Sequence, residues 1–260
     1  MQIGLIGCGN MARALARGWG APVLCADPIA ERARSLAAEV GGEALASNAE
    51  VAARAELLVL CHKPAQLAAV AAEIGAGGAS ETPVASILAV TPLTALRAAY
   101  PGRPVYRFIP SLPVEVRQGA VVQAADQQAG DPQMDAAVAA LFAQLGTLVV
   151  LDDALLDVAT GLMSCAPAYV ALVAEAQIDA GVRRGIPAAQ GAQLVVQTLA
   201  GTAQLLRTRG YDTLAVRREV SSPGGLTARG VDALERAGLR RAFSDALDAV
   251  LQPTEPPSKK

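Results

Sequence analysis

The chain has 260 residues, of which 52% are hydrophobic, and its 22 basic and 24 acidic residues leave a net charge of −2. This length fits one large domain or two ordinary ones, and we expect two. Since no basic cluster precedes the last two lysines, the charge pattern gives no footprint for nucleic acid.

The sequence also gives little sign of a membrane or a secreted context. We find no apolar run that approaches the roughly 18 residues of a spanning helix. The first residues, Met1 to Gly4, lack the basic stretch of a secretory signal. The cysteines are scattered, without the paired spacing of a zinc site or a redox motif; they are Cys8, Cys25, Cys61 and Cys165. We therefore expect a cytoplasmic protein with reduced thiols and neither a membrane nor a nucleic-acid partner.

The first element is a short apolar strand, Gln2 to Ile6, followed by the letters GCGNMA and a helical pattern to about Trp19. GxGxxA between a strand and a helix is the fingerprint of a dinucleotide site, because its glycines permit a tight turn and the helix N-terminus faces pyrophosphate. The alternative is a plain tight turn in an unrelated α/β protein. The residues assigned to the cofactor here are Gly7, Cys8, Gly9, Asn10 and Met11.

The second strand, Val23 to Ala26, ends at Asp27. An acidic residue at this place takes the ribose hydroxyls of NAD and disfavours a 2′-phosphate, whereas Arg32 and Arg34 just beyond would attract one. The two signals conflict, so both NADH and NADPH stay open as the cofactor. Asp27 as a helix cap and the arginines as a solvated face are the plainer alternatives.

The third strand, Leu57 to Cys61, is a continuous apolar run, as expected for a parallel strand buried on both faces. His62, Lys63 and Pro64 follow at its carboxyl end. Ligands of open α/β sheets bind outside these strand ends, so we expect this tripeptide to line the cofactor cleft. His62 is the only histidine of the chain.

Further strands and helices alternate up to residue 151, which predicts one doubly wound Rossmann-type domain over residues 1–151. The strands are predicted at Val84 to Ile87, Pro104 to Phe108, Ala120 to Gln123 and Leu148 to Leu151, and the helices at Glu31 to Glu39, Thr91 to Tyr100 and Asp131 to Leu145.

From Asp152 the pattern becomes helical, which predicts an all-helical domain over residues 152–252 and a disordered tail at 253–260. Tyr169 to Ala174 is apolar nearly all the way round, and a solvent-facing helix is not. We expect a second copy to bury it, giving a homodimer, and assembly beyond the dimer stays open; burial inside the monomer is the alternative. The helices are predicted at Ala154 to Gly161, Pro167 to Gly181, Pro187 to Arg209 and Thr227 to Ala237 or beyond.

The letters SSPGG, Ser221 to Gly225, precede a helix that starts near Thr227. The free N–H groups and the dipole of this helix start favour an anion, and a small carboxylate fits best. The two glycines let the ligand touch the main chain, and Thr227 is placed to donate to it. A serine or threonine N-cap is the simpler alternative, but it leaves the glycines unexplained. The substrate-binding residues assigned here are Ser222, Gly224, Gly225, Leu226 and Thr227.

These residues together resemble the pyrroline-5-carboxylate reductase family over nearly the whole chain. The motifs that carry the resemblance are IGCGNMARAL from Ile6, SNAEVAARAELLVLCHKP from Ser47, RFIPSLP from Arg107 and SSPGGLTARGVDALERAGLRRAFSDAL from Ser221. The resemblance implies a Rossmann domain and a helical dimerisation domain, with the substrate carboxylate on the Gly225 to Thr227 backbone and Thr227 near the imine. It also implies that Asn48 and the tripeptide from His62 to Pro64 touch the dinucleotide. We further assign Ala89 and Pro110 to the cofactor and Asp153 to the substrate.

Several positions depart from the family pattern near the expected pocket. Ser111 and Leu112 replace Asn-Thr, and His62 replaces a common valine. Met163 to Tyr169 resembles Ser-Gly-Ser-Gly-Pro-Ala-Tyr with its small polar members altered, and Ala89-Val90-Thr91 lacks a glycine. These departures put the identity of the cyclic imine in doubt more than the reaction.

The distribution of proton donors favours imine reduction. Lysine occurs only at positions 63, 259 and 260, so the helical half has neither lysine nor histidine before its last residues. Reduction of a ketone needs a proton donor to the alkoxide, whereas hydride transfer to a protonated cyclic imine does not. The sequence therefore predicts an NAD(P)H-dependent reductase that makes L-proline, with Thr227 as its catalytic residue. A reductase of another cyclic imine, such as pyrroline-2-carboxylate, and a non-catalytic dinucleotide-binding regulator are the alternatives.

Overall fold

The computed structural model describes residues 1–76, 81–126 and 131–252. Within them the chain divides into two compact units, one from Met1 to Pro167 and one that begins at Ala168. This division falls later than the change of composition at Asp152, because the chain after the last strand stays packed on the sheet. The predicted tail at 253–260 lies outside the described residues.

The first unit is built on an eight-stranded sheet with strand order β3-β2-β1-β4-β5-β6-β7-β8. All neighbouring strands run parallel except β6 and β7, which are antiparallel. The strands are β1 Ile3–Ile6, β2 Leu24–Ala26, β3 Glu43–Ala44, β4 Leu57–Leu60, β5 Val84–Ser86, β6 Val105–Pro110, β7 Gly119–Ala124 and β8 Gly146–Leu151. The sheet confirms the doubly wound α/β fold, with the sheet order reversing between β1 and β4.

Helices cover both faces of this sheet. They are α1 Asn10–Trp19, α2 Ala30–Val40, α3 Asn48–Arg54, α4 Leu67–Ala76, α5 Leu93–Ala99, α6 Pro132–Ala143 and the short α7 Leu156–Ala159. A five-residue π-helical turn, Thr160–Ser164, follows α7. The sequence analysis did not indicate β3, α3 or α4. Two of these elements are short, since β3 has only two residues and α3 only seven.

Two hydrophobic cores form because successive side chains of a strand point to opposite faces. Leu5 belongs to one core and Ile6 to the other, and Val59 and Leu60 divide in the same way. In the first core the ring of Phe142 stacks on Phe108 with centroids 3.8 Å apart. Strands buried on both faces therefore explain the continuous apolar runs in the sequence.

The described residues of the second unit form helices joined by short loops and include no strand, which confirms the predicted all-helical C-terminal region. Its helices are α8 Ala166–Val182, which starts two residues before the unit boundary, α9 Ala188–Thr208, α10 Thr213–Val220, α11 Leu226–Arg236 and α12 Leu239–Leu251. The sequence did not indicate α10. It left the end of the last predicted helix open, and Gly238, at φ +82°, divides that stretch into α11 and α12.

The helical segment Asp153–Val182 has 30 residues and a mean hydropathy of 1.5, and 17% of its most apolar window is buried within the chain. By length and composition alone it is apolar enough to cross a membrane, so our expectation that no segment approaches this threshold is wrong. Core helices of soluble proteins meet the same criterion, so this measure does not distinguish the two.

Candidate active site

The glycine-rich turn between β1 and α1 has the geometry of a phosphate-binding loop. Gly7 has φ +96°, and a Cβ there would lie 3.0 Å from the backbone N of His62. Gly9 is the N-cap of α1 and has no side-chain hydrogen bond to the helix start. The first bond of the helix runs from Arg13 N to Gly9 O at 3.1 Å, so the preceding N–H groups have no intrahelical partner. This end of α1 is therefore suited to an anion.

Asp27 at the end of β2 uses both carboxylate oxygens on the protein backbone. Its Oδ2 accepts a hydrogen bond from Cys8 N at 2.8 Å, and its Oδ1 accepts one from Ile29 N at 2.8 Å. The carboxylate thus joins the glycine-rich turn to the start of α2. These bonds compete with the ribose contact that the sequence suggested.

One cavity of about 320 Å³ opens beside Asp27, and we call it the β2-side cavity. It is lined by Gly7, Gly9, Asp27, Pro28, Ile29, Arg32, Cys61, His62, Lys63 and Gln66. In the part of the chain that the structure describes, Arg32 and Lys63 form no ion pair, whereas Arg34 pairs with Glu31 at 2.8 Å. The β2-side cavity therefore carries two cations that are available to an anionic ligand.

A second cavity of about 180 Å³ lies at the carboxyl ends of β4, β5 and β6, and we call it the β5-side cavity. It is lined by Met11, Cys61, His62, Ile87, Leu88, Ala89, Ile109, Pro110, Thr160 and Ser164. Its walls are mainly apolar side chains with two hydroxyls, which suits a flat heteroaromatic ring such as nicotinamide.

His62 lines both cavities. Its Nδ1 lies 2.9 Å from the carbonyl oxygen of Lys63, so Nδ1 carries the proton and donates it. Burial lowers the pKa of His62, although the bond to Lys63 partly offsets this effect. The imidazole is therefore neutral at neutral pH and is a poor proton donor.

The thiols near the cleft are weak nucleophiles. A hydrogen bond with Cys25, together with burial, raises the pKa of Cys8, and burial raises the pKa of Cys61. Thiolates are the reactive form of cysteine, so neither residue is suited to covalent chemistry.

Most of the predicted cofactor residues lie at these two cavities, but several do not line them. The side-chain amide of Asn48 donates to Glu73 at 2.8 Å, and Asn48 N donates to the same carboxylate. Cys8 is buried behind the turn, while Asn10 and Pro64 lie beside lining residues. Contacts from all of the assigned residues to the dinucleotide, whether or not they line a cavity, stay predictions.

Sequence reasoning missed Thr160, Ser164 and Gln66 as cavity residues. Gln66 accepts a hydrogen bond from Lys63 N at 3.1 Å, which holds the turn after β4. Thr160 and Ser164 lie in the π-helical turn, and such turns often occur at functional sites. Ser164 stood within the altered motif of the sequence, which was the available signal.

The predicted substrate loop lies in the second unit. Gly224 adopts the left-handed conformation, with φ +68°, and Gly225 is the N-cap of α11 without a side-chain hydrogen bond. The first helical bond runs from Arg229 N to Gly225 O at 3.2 Å. The N–H groups of Leu226 to Ala228 therefore have no intrahelical partner, and Thr227 is exposed beside them. The alternative of a serine or threonine N-cap is excluded for α11.

Two predicted or altered positions have structural partners in the first unit. Asp153 bonds to Arg107 at 2.8 Å and to Leu93 N at 3.0 Å, so both of its oxygens are occupied. Ser111 is buried, accepts a bond from Ala120 N at 2.9 Å and does not line either cavity. Ser111, which stands where the family pattern has asparagine, therefore uses its hydroxyl on the backbone of β7.

Comparison with known proteins shows the family to which this chain belongs. The family model for pyrroline-5-carboxylate reductase dimerisation matches residues 153–255, and that for coenzyme F420-dependent NADP oxidoreductase matches residues 2–90. A pyrroline-5-carboxylate reductase from Synechocystis is 34% identical over 100% of this chain and 99% of its own length. The chain belongs to the pyrroline-5-carboxylate reductase family.

Other members agree with this assignment. The Thermus thermophilus pyrroline-5-carboxylate reductase is 35% identical over 96% of this chain and 95% of its own length. The crystal structure of the Streptococcus pyogenes enzyme superposes with a TM-score of 0.85 at 26% identity, covering 96% of both chains. A Plasmodium falciparum pyrroline carboxylate reductase with NADP bound has a TM-score of 0.85 at 24% identity, over 96% of this chain and 95% of its own, and supports the fold. The predicted resemblance and fold class are confirmed.

Proposed function

We propose that this protein reduces 1-pyrroline-5-carboxylate to L-proline, by hydride transfer from NAD(P)H to the C=N carbon. The observation that carries the proposal is the full-length similarity to pyrroline-5-carboxylate reductases, in a chain that keeps two glycine-capped helix starts, at α1 and α11. One suits the pyrophosphate and the other suits a small carboxylate.

The dinucleotide fits the residues of the first unit. The N-terminus of α1 would hold its pyrophosphate, the β2-side cavity its adenosine half and the β5-side cavity its nicotinamide. The cofactor supplies the hydride when bound. Ala89 and Pro110 line the β5-side cavity and would orient the nicotinamide ring.

The residues of the second unit would bind the substrate. The backbone N–H groups from Leu226 to Ala228 would donate hydrogen bonds to the carboxylate, with Ser222, Gly224 and Gly225 shaping the loop. Thr227 would hold the imine nitrogen side. A protonated imine already carries its proton on nitrogen, so hydride transfer to its carbon needs no further proton donor, in agreement with the lack of lysine between Asp152 and Gln252. Asp153 stays a predicted substrate residue, although its present partners favour a structural role.

We infer that NADPH is preferred over NADH. Both oxygens of Asp27 accept backbone hydrogen bonds, while Arg32 and Lys63 line the same cavity without ion pairs among the described residues. Two unpaired cations favour the 2′-phosphate.

We propose that the helical unit forms a homodimer in the cytoplasm. The single chain leaves Val170 51% and Leu172 64% exposed on α8. These residues belong to the stretch that is apolar nearly all the way round, and a second copy would remove them from water. The match of residues 153–255 to a dimerisation family supports the same assignment.

Another cyclic imine is the second candidate substrate class. Ser164 lies in the β5-side cavity, and its Oγ donates to Pro110 O at 3.0 Å. It belongs to the motif whose small polar members are altered. A changed wall at this place favours a different cyclic imine, such as pyrroline-2-carboxylate, in which the carboxylate is attached to the C=N carbon.

The deciding experiment measures steady-state rates of the purified protein with pyrroline-5-carboxylate, pyrroline-2-carboxylate and each reduced nucleotide. We expect the highest kcat/KM with pyrroline-5-carboxylate and NADPH. A higher value with the other imine selects the second candidate, and no turnover with any imine favours the non-catalytic regulator.

Thr227→Ala tests the substrate loop. We expect turnover to fall by about 10- to 1,000-fold with little change in NADPH affinity, because Thr227 is proposed to touch the imine and not the dinucleotide. Thr213→Ala, at the first residue of α10, is the control and should leave the rate unchanged. An unchanged rate in Thr227→Ala would contradict the site assignment.

A further inference from the structure

Arg107 is a fully buried cation in the middle of β6, with a side chain 1% exposed. Its Nη1 donates to Asp153 Oδ1 at 2.8 Å and to Asp153 O at 3.3 Å, and its Nη2 donates to Asp157 Oδ1 at 2.7 Å. A buried charge is tolerated when it is paired, and these two carboxylates pair both Nη atoms, whereas the buried Nε has no hydrogen-bond partner among the described residues. Both carboxylates belong to the segment that follows β8.

This segment, residues 153–164, is fixed to β6 at both ends. Arg107 holds its first part, and at its end Ser164 Oγ donates to Pro110 O at 3.0 Å. Asp153 also accepts a hydrogen bond from Leu93 N, which ties the segment to the start of α5. The two anchor points, Arg107 and Pro110, lie on one strand.

Between these anchors the segment supplies one wall of the β5-side cavity. Thr160 and Ser164 lie in the π-helical turn and line the cavity together with Ala89 and Pro110. The Thr160 hydroxyl donates to Leu156 O at 2.8 Å, so it bonds within its own segment. Among the described residues, the hydrogen bonds that join this segment to β6 come from Arg107 and Ser164, and the bond from Leu93 N to Asp153 joins it to α5.

We propose that Arg107 is a positioning residue for the nicotinamide end of the dinucleotide. By holding Asp153 and Asp157 it keeps the Thr160–Ser164 turn against β6, where Thr160 and Ser164 line the β5-side cavity. Arginine suits this task because its planar fork directs two hydrogen bonds at once, which a lysine ammonium does not reproduce. The inference rests on the proposed dinucleotide-binding function of this cavity.

Arg107→Lys tests the proposal, since it keeps the charge and removes the fork. We expect NADPH binding to weaken by about 3- to 10-fold, the effect of losing one or two hydrogen bonds. The affinity for adenosine 2′,5′-bisphosphate, which lacks nicotinamide, should change by less than about 2-fold on the same basis. In the protein without nucleotide, hydrogen exchange should rise in residues 153–164 and stay constant in β1 and β4.

Asp157→Asn is the second variant, because Asp157 is half-exposed and its loss is less of a threat to folding. This variant should also weaken NADPH binding and raise hydrogen exchange in residues 153–164, and it should leave the affinity for adenosine 2′,5′-bisphosphate within about 2-fold. Arg97→Lys is the matched control: Arg97 also pairs with an aspartate, Asp126, but does not line the β5-side cavity. It should leave all three unchanged.

Two outcomes would overturn the proposal. One is a loss of thermal stability with NADPH affinity and exchange of residues 153–164 unchanged, which indicates a purely structural arginine. The other is an equal loss of affinity for NADPH and for adenosine 2′,5′-bisphosphate, which indicates a general disturbance of the unit. Failure of the proposed function would instead show as absent turnover in the unaltered protein, and the binding and exchange measurements would still decide the role of Arg107.

Discussion

At the scale of single residues, the positions that decide function are those whose polar atoms the fold leaves available. Asp27 and Arg32 lie in one cavity, yet Asp27 is bonded to the backbone and Arg32 is unpaired in the described part of the chain. The sequence presents both as nucleotide ligands of opposite preference. In the structure, backbone hydrogen bonds occupy the carboxylate of Asp27, whereas the guanidinium of Arg32 stays available to a nucleotide.

Arg32→Gln should raise the KM for NADPH by about 10-fold or more and leave the KM for NADH nearly unchanged, because a charge-assisted bond to phosphate is lost. Steady-state kinetics with both nucleotides would measure this. Arg34→Gln is a matched control on the same helix, since Arg34 is paired with Glu31. Equal effects of Arg32→Gln on both nucleotides would contradict the assigned preference.

His62 gives a pH dependence of stability with a definite sign. Burial lowers the pKa of His62 below its ordinary value of about 6.5, so between these two pKa values the unfolded chain binds a proton that the folded chain does not. The free energy of unfolding should therefore fall as the pH drops below about 6.5. This contribution is fully present above that pH.

Urea unfolding at a series of pH values checks this prediction. His62→Gln should show a shallower decline of the unfolding free energy between pH ~7 and ~5 than the unaltered chain, since glutamine does not titrate. An equal slope in both proteins would show that other groups cause the decline.

At the scale of elements, close backbone approaches set where helices lie on the sheet. A Cβ added at Gly18 of α1 would lie 2.2 Å from the carbonyl oxygen of Val114, in the turn between β6 and β7. The helix therefore needs a glycine on this side to reach its packing distance. In α4, no atom of the described residues lies within 4 Å of the position that a Cβ at Gly75 would take.

Gly18→Ala should destabilise the protein by about 1 to 3 kcal/mol or more, because the helix or the turn has to move. Gly75→Ala is the control and should be neutral or stabilising by up to about 1 kcal/mol, as alanine is the better helix former. Chemical denaturation of the two variants makes the comparison. A stabilising Gly18→Ala would mean that the close approach is absent.

At the scale of the whole molecule, the exposed apolar residues of α8 predict association. Leu172→Asp should convert the dimer to a monomer, because a buried unpaired carboxylate costs several kcal/mol at an interface. Light scattering coupled to size exclusion measures the mass. Leu172→Met keeps the apolar surface and should stay dimeric, and a dimeric Leu172→Asp would place the interface elsewhere.

The sequence by itself determined the class of fold, and most of the residues that it predicted for the cofactor line the two cavities. Three sequence patterns each indicate a local structure. The structure places GxGxxA at Gly7 in a turn, the apolar run from Leu57 in the buried strand β4, and the glycines at 224 and 225 at a helix start without a side-chain cap. Such patterns predict local structure because the backbone conformation and the burial of a single strand depend on residues that are close in sequence.

Only the tertiary structure decided which polar groups are free and which segments meet. Thr160 and Ser164 reach the cavity at Pro110 because Arg107 binds carboxylates some 46 and 50 residues later in the chain. The backbone conformation of Val90, at φ +53°, likewise could not be predicted from the sequence, because a β-branched residue gives no local sign of a left-handed conformation. Contacts between residues distant in sequence are set by packing, and the pattern of residues that are close in sequence does not indicate them.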